Sequence, residues 1–306
     1  MSDTQQFGLE LTGVFVHDTR GVIVTAETED GAKNGIDHTN VYWYNEGKWF
    51  SVAQWPNAIV GSTFLPFAPL ERFFLAANGK VYRRIKSAIT EEIIDSSDDG
   101  PSDLLLMQSI IDVEGDLFAV GMARRAYRRT GPNQWQAIDQ SCFVPRANRT
   151  EAVGFTDLAG DRADNIVAVG YKGEIWRYDG KQWLQEASPT NVTLTSVTQV
   201  SPADFVVCGL HGTVIVGGPG RWSIVEHKAT RADFWGAACF NGKPFVSNYD
   251  GVFVLERSGL RKCYPGAEQR DKTAYISAGS TSIWSVGQQH VAWSTNGTDW
   301  NEIESP

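Results

Sequence analysis

The chain is poor in the residues that usually carry chemistry. Among 306 residues there are four cysteines and five histidines. Cys142, Cys208, Cys239 and Cys263 form no CxxC pair, which argues against a zinc ribbon or a dithiol redox centre. Cys208 and Cys239 fall in strand-like stretches and read as buried thiols. His17, His38, His211, His227 and His290 are scattered, none at metal-ligand spacing. No HExxH or GxSxG occurs, and Gly79-Lys80, Gly180-Lys181 and Gly242-Lys243 lack the flanking residues of a phosphate loop. In Asp95–Gly100, DSSDDG, the carboxylates do not alternate and no Glu follows at the right distance, which argues against a calcium loop. The expectation is no catalytic residue, no metal and no cofactor.

Long hydrophobic runs are also missing. None approaches the ~20 residues of a membrane helix. The opening MSDTQQFGLELTG has no basic region followed by an apolar one, so it does not read as a signal peptide. No membrane association and a cytoplasmic location are therefore expected, and the sequons at Asn148, Asn191 and Asn296 carry little weight. Basic residues are in deficit, 27 against 36 acids, for a net charge of −9. That balance argues against general nucleic-acid binding. It suits a basic partner, or serves solubility. The charge is uneven: Glu91–Asp103 holds six acids and no base, whereas Met122–Arg149 holds six arginines and one acid, Asp139. The two runs read either as solvated surface or as a polarised face that orients a partner.

What the chain has in quantity is short strands and aromatic residues. The phrase NIVAVGYKGEIWRYDGKQW, Asn165–Trp183, reads as a strand, a Gly-containing turn, a second strand, an Asp179-Gly180 turn and a Trp. Trp49, Trp135, Trp222 and Trp300 match Trp183, each after a strand and a Gly-bearing turn. Two more units, Phe73–Ile85 and Lys243–Cys263, keep the frame without the Trp. The recurrence of roughly 40–48 residues, counted seven times, is that of four-stranded propeller blades. The expected fold is all-β: one seven-bladed β-propeller of four-stranded antiparallel blades, a single domain over 1–306. Gly121, Gly170, Gly209 and Gly287 close the second strand of four units; we expect that strand to run close to the central axis, with Gly permitting close backbone approach or positive φ. Helical signals are scarce, and Lys86–Ile94 reads equally as a helical turn or as two strands and a linker.

Val167–Trp183, VAVGYKGEIWRYDGKQW, resembles the VGxxGxIxxYDGxxW repeats of bacterial propellers of the photosystem-assembly-factor type and of the Asp-box, sialidase-like type. Ser294–Trp300, STNGTDW, resembles a shortened Asp box. That resemblance implies a hairpin staple, with a polar residue holding the turn and an aromatic packed between strands, and not a catalytic element. It also raises a carbohydrate-binding or glycoside-hydrolysing propeller. Such a hydrolase needs paired carboxylates at fixed separation. The family's Arg-Ile-Pro-type opening is absent, and Val144-Pro145-Arg146 is no substitute.

Candidate binding residues follow from propeller geometry. Loops joining the second and third strands, and connections between blades, crown one face around the axis. That crown is expected to present Arg124, Arg125, Tyr171, Lys172, His211, Tyr249, Gln288 and His290, with Arg146, Arg149 and Trp235 at its rim. Tyr, Trp and Arg are the types that anchor protein interfaces. The sequence thus reads as a monomeric, non-enzymatic, protein-binding propeller. Its most specific reading is a bacterial immunity or antitoxin-type protein that occludes a toxin domain, with a basic domain suiting the acidic charge. The alternatives are an assembly or scaffolding factor and the carbohydrate-directed Asp-box propeller.

Overall fold

The computed structural model describes residues 9–17, 21–66, 68–101, 105–145, 148, 151–265, 273–288 and 290–306. Among them are seven four-stranded antiparallel sheets, each made of four strands consecutive in the chain. The first strands are Leu9–Val16, Ile59–Leu65, Met107–Val113, Phe155–Arg162, Leu194–Ser201, Phe234–Phe240 and Thr273–Ala278, and we number the blades 1 to 7 in that order. These seven strands neighbour one another in sequence and close from blade 7 back to blade 1. The first strand of each blade is therefore innermost. This corrects the expectation that the second strand runs beside the axis.

Every first strand pairs with its neighbour through a register shift, between its first and third residues in six blades, as between Phe155 and Asp157, Leu194 and Ser196, and Phe234 and Gly236, and between Leu11 and Gly13 in blade 1. One extra residue per strand bends it and sharpens its twist, which suits seven strands converging on an axis. The bulged threonines also link blades. Thr156 Oγ1 donates to Leu194 O of the next blade at 2.7 Å, and Thr195 Oγ1 donates to Phe234 O of the one after at 2.7 Å. The second-strand glycines are crowded for a different reason than the axis. A Cβ on Gly170 would stand 2.0 Å from Gly154 O, and one on Gly209 2.4 Å from Thr193 O, both in the connections entering the blades. Gly170 and Gly209 are extended, at φ −173° and −166°, so close approach and not handedness selects glycine there.

Hydrophobic packing lies between blades. There is one buried cluster at each of the seven seams, including one that joins Leu11, Val14 and Val24 of blade 1 to Trp284, Val286 and Val291 of blade 7. An open stack of seven sheets would have six such seams, so the seventh is the ring closure. Trp135, Trp183 and Trp222 pack in the seams of blades 3, 4 and 5 with the blade before. Trp300 packs between blades 6 and 7, and Trp49 between blades 7 and 1. The five tryptophans thus occupy equivalent places, within one residue of the start of the fourth strand.

The turn at Ser294–Trp300 is held by side chains: Asn296 Oδ1 accepts from the N–H groups of Thr298 and Asp299, each at 2.9 Å. Trp300 stacks on Tyr264 at 5.0 Å. Lys86–Ile94 resolves in favour of strand, with Ala88–Ile93 the last strand of blade 2. A six-residue helix, Glu29–Asn34, stands between the second and third strands of blade 1, where none was expected. Cys208 is buried, whereas Cys239 is only half-buried.

Closure was expected between Phe7–Val16 and Ser282–Ile303. Residues 7 and 8 lie outside the described residues, but the Leu11 N–H donates to Gln288 O at 2.7 Å and Val16 N–H to Ser277 Oγ at 3.1 Å. The Trp49 indole N–H donates to Glu304 O at 2.8 Å. Deleting Met1–Thr12 removes the first half of the innermost strand of blade 1. The truncated protein is expected to melt lower and to aggregate more, because the ring opens and exposes strand edges. Unchanged melting would place the closure elsewhere.

Candidate functional site: the crown and the central channel

The loops after the second strands share a geometry in blades 4 and 5. Tyr171–Gly173 and Leu210–Gly212 each form one tight turn, with Lys172 at φ 58° and His211 at φ 56°. Their N–H groups dock on the connection that enters the same blade, Tyr171 to Gly154 O at 3.2 Å and Leu210 to Thr193 O at 3.0 Å. In blade 3, Met122 does the same to Leu106 O at 2.9 Å. Both classes of loop therefore lie on one face, and Lys172, His211 and Gln288 are exposed there. Tyr171 is half-buried, and Lys172 is ion-paired with Glu151. The His211 N–H donates to Asp233 Oδ1 at 2.7 Å, so its loop is fixed to the adjoining connection.

Three candidates do not stand out from that face. Arg124 is held by Glu174 through two hydrogen bonds of 2.7 and 2.5 Å and lies over the Trp176 ring at 5.2 Å, which ties blade 3 to blade 4. Arg125 is buried. It pairs with Asp95 at 3.0 Å and Asp139 at 3.3 Å and lies over the rings of Tyr127 and Phe143. His290 is buried as well, its Nε2 2.8 Å from the Tyr264 hydroxyl and its ring stacked on the same tyrosine. The expectation that Arg125 and His290 are presented is therefore corrected. Arg146 and Arg149 lie outside the described residues.

The same contacts explain the uneven charge. The acidic run on blade 2 and the arginine run on blade 3 face each other across one seam. Glu92 takes a two-point grip from Arg129 at 2.8 and 2.7 Å, and Asp95 takes Arg125 and the Tyr127 hydroxyl. Burial raises the Asp95 carboxyl, but hydrogen bonds from Ser97 and Tyr127 and the charge of Arg125 outweigh it and leave the group below its ordinary value. The Asp139 carboxyl stays above its ordinary value because burial outweighs Arg125. Glu92 and Asp95 of the one run and Arg129 and Arg125 of the other thus neutralise each other inside the fold, whereas Glu91 pairs with Lys80, Arg124 with Glu174 and Arg128 with Asp116. This is also where acids and arginines converge, and they are engaged with one another there.

On the blade 6 and 7 side the crown carries exposed aromatic surface. Trp235 and Tyr249 are 39% and 46% exposed with ring centroids 6.2 Å apart, and Tyr275 is 39% exposed. Trp235 is the bulged residue of its first strand, which turns it into the mouth of the central channel. Tyr275 also lines that channel. The channel, about 410 Å³, is lined by the first strands of all seven blades, and Asp157 is the one charged residue on its wall among the described residues. Asp157 accepts from Ser109 Oγ at 2.8 Å, Ser196 Oγ at 2.7 Å and the Val197 N–H at 3.0 Å. Burial raises its pKa, and those hydrogen bonds partly offset the rise. It works as a clasp between blades 3, 4 and 5. Tyr275 and Asp157 escaped the sequence reading. Aligning the residue after each bulge, namely Gly13, Gly61, Ser109, Asp157, Ser196, Gly236 and Tyr275, would have found both, since five of the seven are small glycines and serines.

No family model matches the chain. Its fold is shared with solved structures of low sequence identity. A catalytically inactive virginiamycin B lyase from Staphylococcus aureus is 12% identical, with a TM-score of 0.70 over 100% of this chain and 98% of that one. YCF48 bound to D1 peptide is 10% identical, with a TM-score of 0.68 over 92% and 90%. These define the class, a seven-bladed β-propeller. In sequence the chain is 31% identical, over 298 residues and 96% of each protein, to Immune protein Tsi7 of Pseudomonas aeruginosa. The chain belongs to that family, and it is an immunity protein built on a β-propeller.

Proposed function

We propose that this chain protects its cell by binding a toxin domain with the crown face, acting in the cytoplasm as a monomer and without catalysis of its own. The observation that carries the choice of face is the aromatic group Trp235, Tyr249 and Tyr275 at the channel mouth. Large aromatic side chains left half in water on a rigid rim are the usual anchors of protein interfaces. Lys172, His211 and Gln288 supply polar contacts around them. The net charge of −9 favours a toxin whose facing surface is basic, which such a field would draw in quickly at low salt.

The test is binding to the cognate toxin domain, identified by pull-down from the native host, measured by calorimetry and by growth of cells that express the toxin. Trp235→Ala and Tyr249→Ala should each weaken the complex by about 30-fold or more, the range of an interface hot spot, and abolish protection. Melting should stay within a few degrees of wild type, since neither residue belongs to a seam cluster. Wild-type affinity in the double variant would mean that the toxin is held elsewhere.

A further inference from the structure

Blade 1 departs from the other six on the crown. Its second and third strands are joined by ten residues, 29–38, whereas two to four residues make the same connection in the other blades. The extra length is ordered: the helix Glu29–Asn34 is followed by a turn at Gly35, whose φ is 63°. His38 ties the loop at its base. The Thr28 N–H donates to His38 Nε2 at 2.8 Å, so the ring proton sits on Nδ1, which donates to Ile36 O at 2.8 Å. The Gly31 N–H donates to Thr28 Oγ1 at 3.2 Å, and the Ile36 N–H donates to Gly31 O at 3.0 Å. A Cβ on Gly31 would stand 1.9 Å from His38 Cε1, so the imidazole is packed directly on the backbone it holds.

The loop leaves an apolar tip in water. Ile36 is 61% exposed, more than any other large hydrophobic side chain among the described residues. Asp37 beside it is exposed, and neither Asp37 nor Glu27 at the base of the loop has an ionic partner among the described residues. Burial raises the Glu27 carboxyl above its ordinary value, with His38 opposing and Asp37 and Glu10 adding to the rise. The loop also continues the aromatic arc of the crown. Blade 1 packs on blade 7, where Tyr275 stands. Partial burial, then Tyr249 and the charge of Glu27, raise the Tyr275 hydroxyl above its ordinary value, which places the base of the loop near that ring.

Given the crown as the toxin-binding face, we propose that this loop is the part of it that is inserted into the toxin domain, with Ile36 seated in an apolar pocket whose rim is basic and meets Asp37 and Glu27. A lone exposed isoleucine on a strand would need no explanation. Here the residue is carried at the tip of the longest crown loop, and that loop is tied before any partner arrives. A side chain presented on an ordered loop loses less conformational freedom on binding, so more of its burial appears as affinity. The basic rim follows from the two carboxylates left without a counter-charge beside the tip. His38 touches no partner in this scheme and is a positioning residue for Ile36.

Calorimetry on the full chain with the toxin domain recovered by pull-down tests it. Ile36→Ser should weaken the complex about tenfold or more. Replacing residues 29–38 by a four-residue Gly/Asn turn, the length found in blades 3, 4 and 5, should weaken it about thirtyfold or more. Melting should stay within a few degrees of wild type in both, since no described residue of the loop belongs to a seam cluster. His38→Ala should weaken binding less than Ile36→Ser, speed exchange of the Thr28 amide hydrogen, and cost no further affinity when combined with Ile36→Ser. His38→Gln keeps an acceptor for Thr28 and should recover part of the loss. Asp37→Asn should slow association at low salt and leave it unchanged at high salt. Affinity within about twofold of wild type in both Ile36→Ser and the loop replacement overturns the proposal. A loss confined to the loop replacement also overturns it, because the tip is then not what enters. In either event, weakened binding by Trp235→Ala and Tyr249→Ala leaves the crown as the binding face and removes only the inserted loop, and wild-type binding by those variants removes both.

Discussion

Trp183→Ala is expected to lower stability by about 3–5 kcal/mol, the range for truncating a large buried aromatic. Trp183 is 2% exposed, and its ring meets Phe155 at 5.3 Å and Tyr178 at 5.2 Å in the seam between blades 3 and 4. The Ser141 hydroxyl donates to its carbonyl at 2.9 Å and accepts from its N–H at 3.0 Å, so the backbone there is anchored and has little room to collapse into the void. Its indole N–H has no hydrogen-bond partner among the described residues, so Trp183→Phe should be much milder because it forfeits only volume. Urea unfolding at constant slope checks both. A near-neutral Trp183→Ala would show that the seam repacks freely and that the tryptophan is not a structural plug.

The second large effect is expected at Glu92 and Arg129. The two side chains are nearly inaccessible and grip each other at two points, the Trp135 indole donates to the same carboxylate at 3.1 Å, and Arg129 lies over the Phe73 ring at 4.9 Å. Arg129→Met leaves a carboxylate buried with one neutral donor, and Glu92→Leu leaves a buried guanidinium. Each single variant should cost about 3–5 kcal/mol. The double variant Glu92→Leu with Arg129→Met should recover most of that loss, because two apolar side chains of similar volume need no compensation. Denaturant midpoints of the four proteins close the cycle. The coupling should persist at high salt, since buried pairs are screened far less than exposed ones. Singles that cost less than the double would mean that the pair is solvated.

Arg124 and Arg125 were expected to follow Gly121 in the frame in which Tyr171 and Lys172 follow Gly170. The loops do share a face, but the frames are offset by two: Met122 docks on Leu106 O as Tyr171 docks on Gly154 O, and Arg125 stands where Glu174 stands. The neighbour differs as well. Glu174 of the next blade takes Arg124, and Asp95 of the previous blade takes Arg125, from 50 and 30 positions away. A frame along the chain says which face a loop is on. It does not say which charge from another blade lies against it. His290 shows the same thing with Tyr264.

The seven-fold recurrence, the strand alternation, the turn glycines and the five spaced tryptophans determine the propeller from the sequence alone, because each blade is one contiguous segment whose apolar faces repeat in register. Family membership is likewise carried along the whole length of the chain. The tertiary structure alone decides which strand is innermost, that Glu92 and Asp95 of the acidic run meet Arg129 and Arg125 at the seam of blades 2 and 3, and that Trp235, Tyr249 and Tyr275 meet at the channel mouth. The physical reason is common to all three. Each is a relation between blades, set by how sheets pack face to face around a closed ring, and residues that meet there lie tens of positions apart with no local pattern to announce the contact.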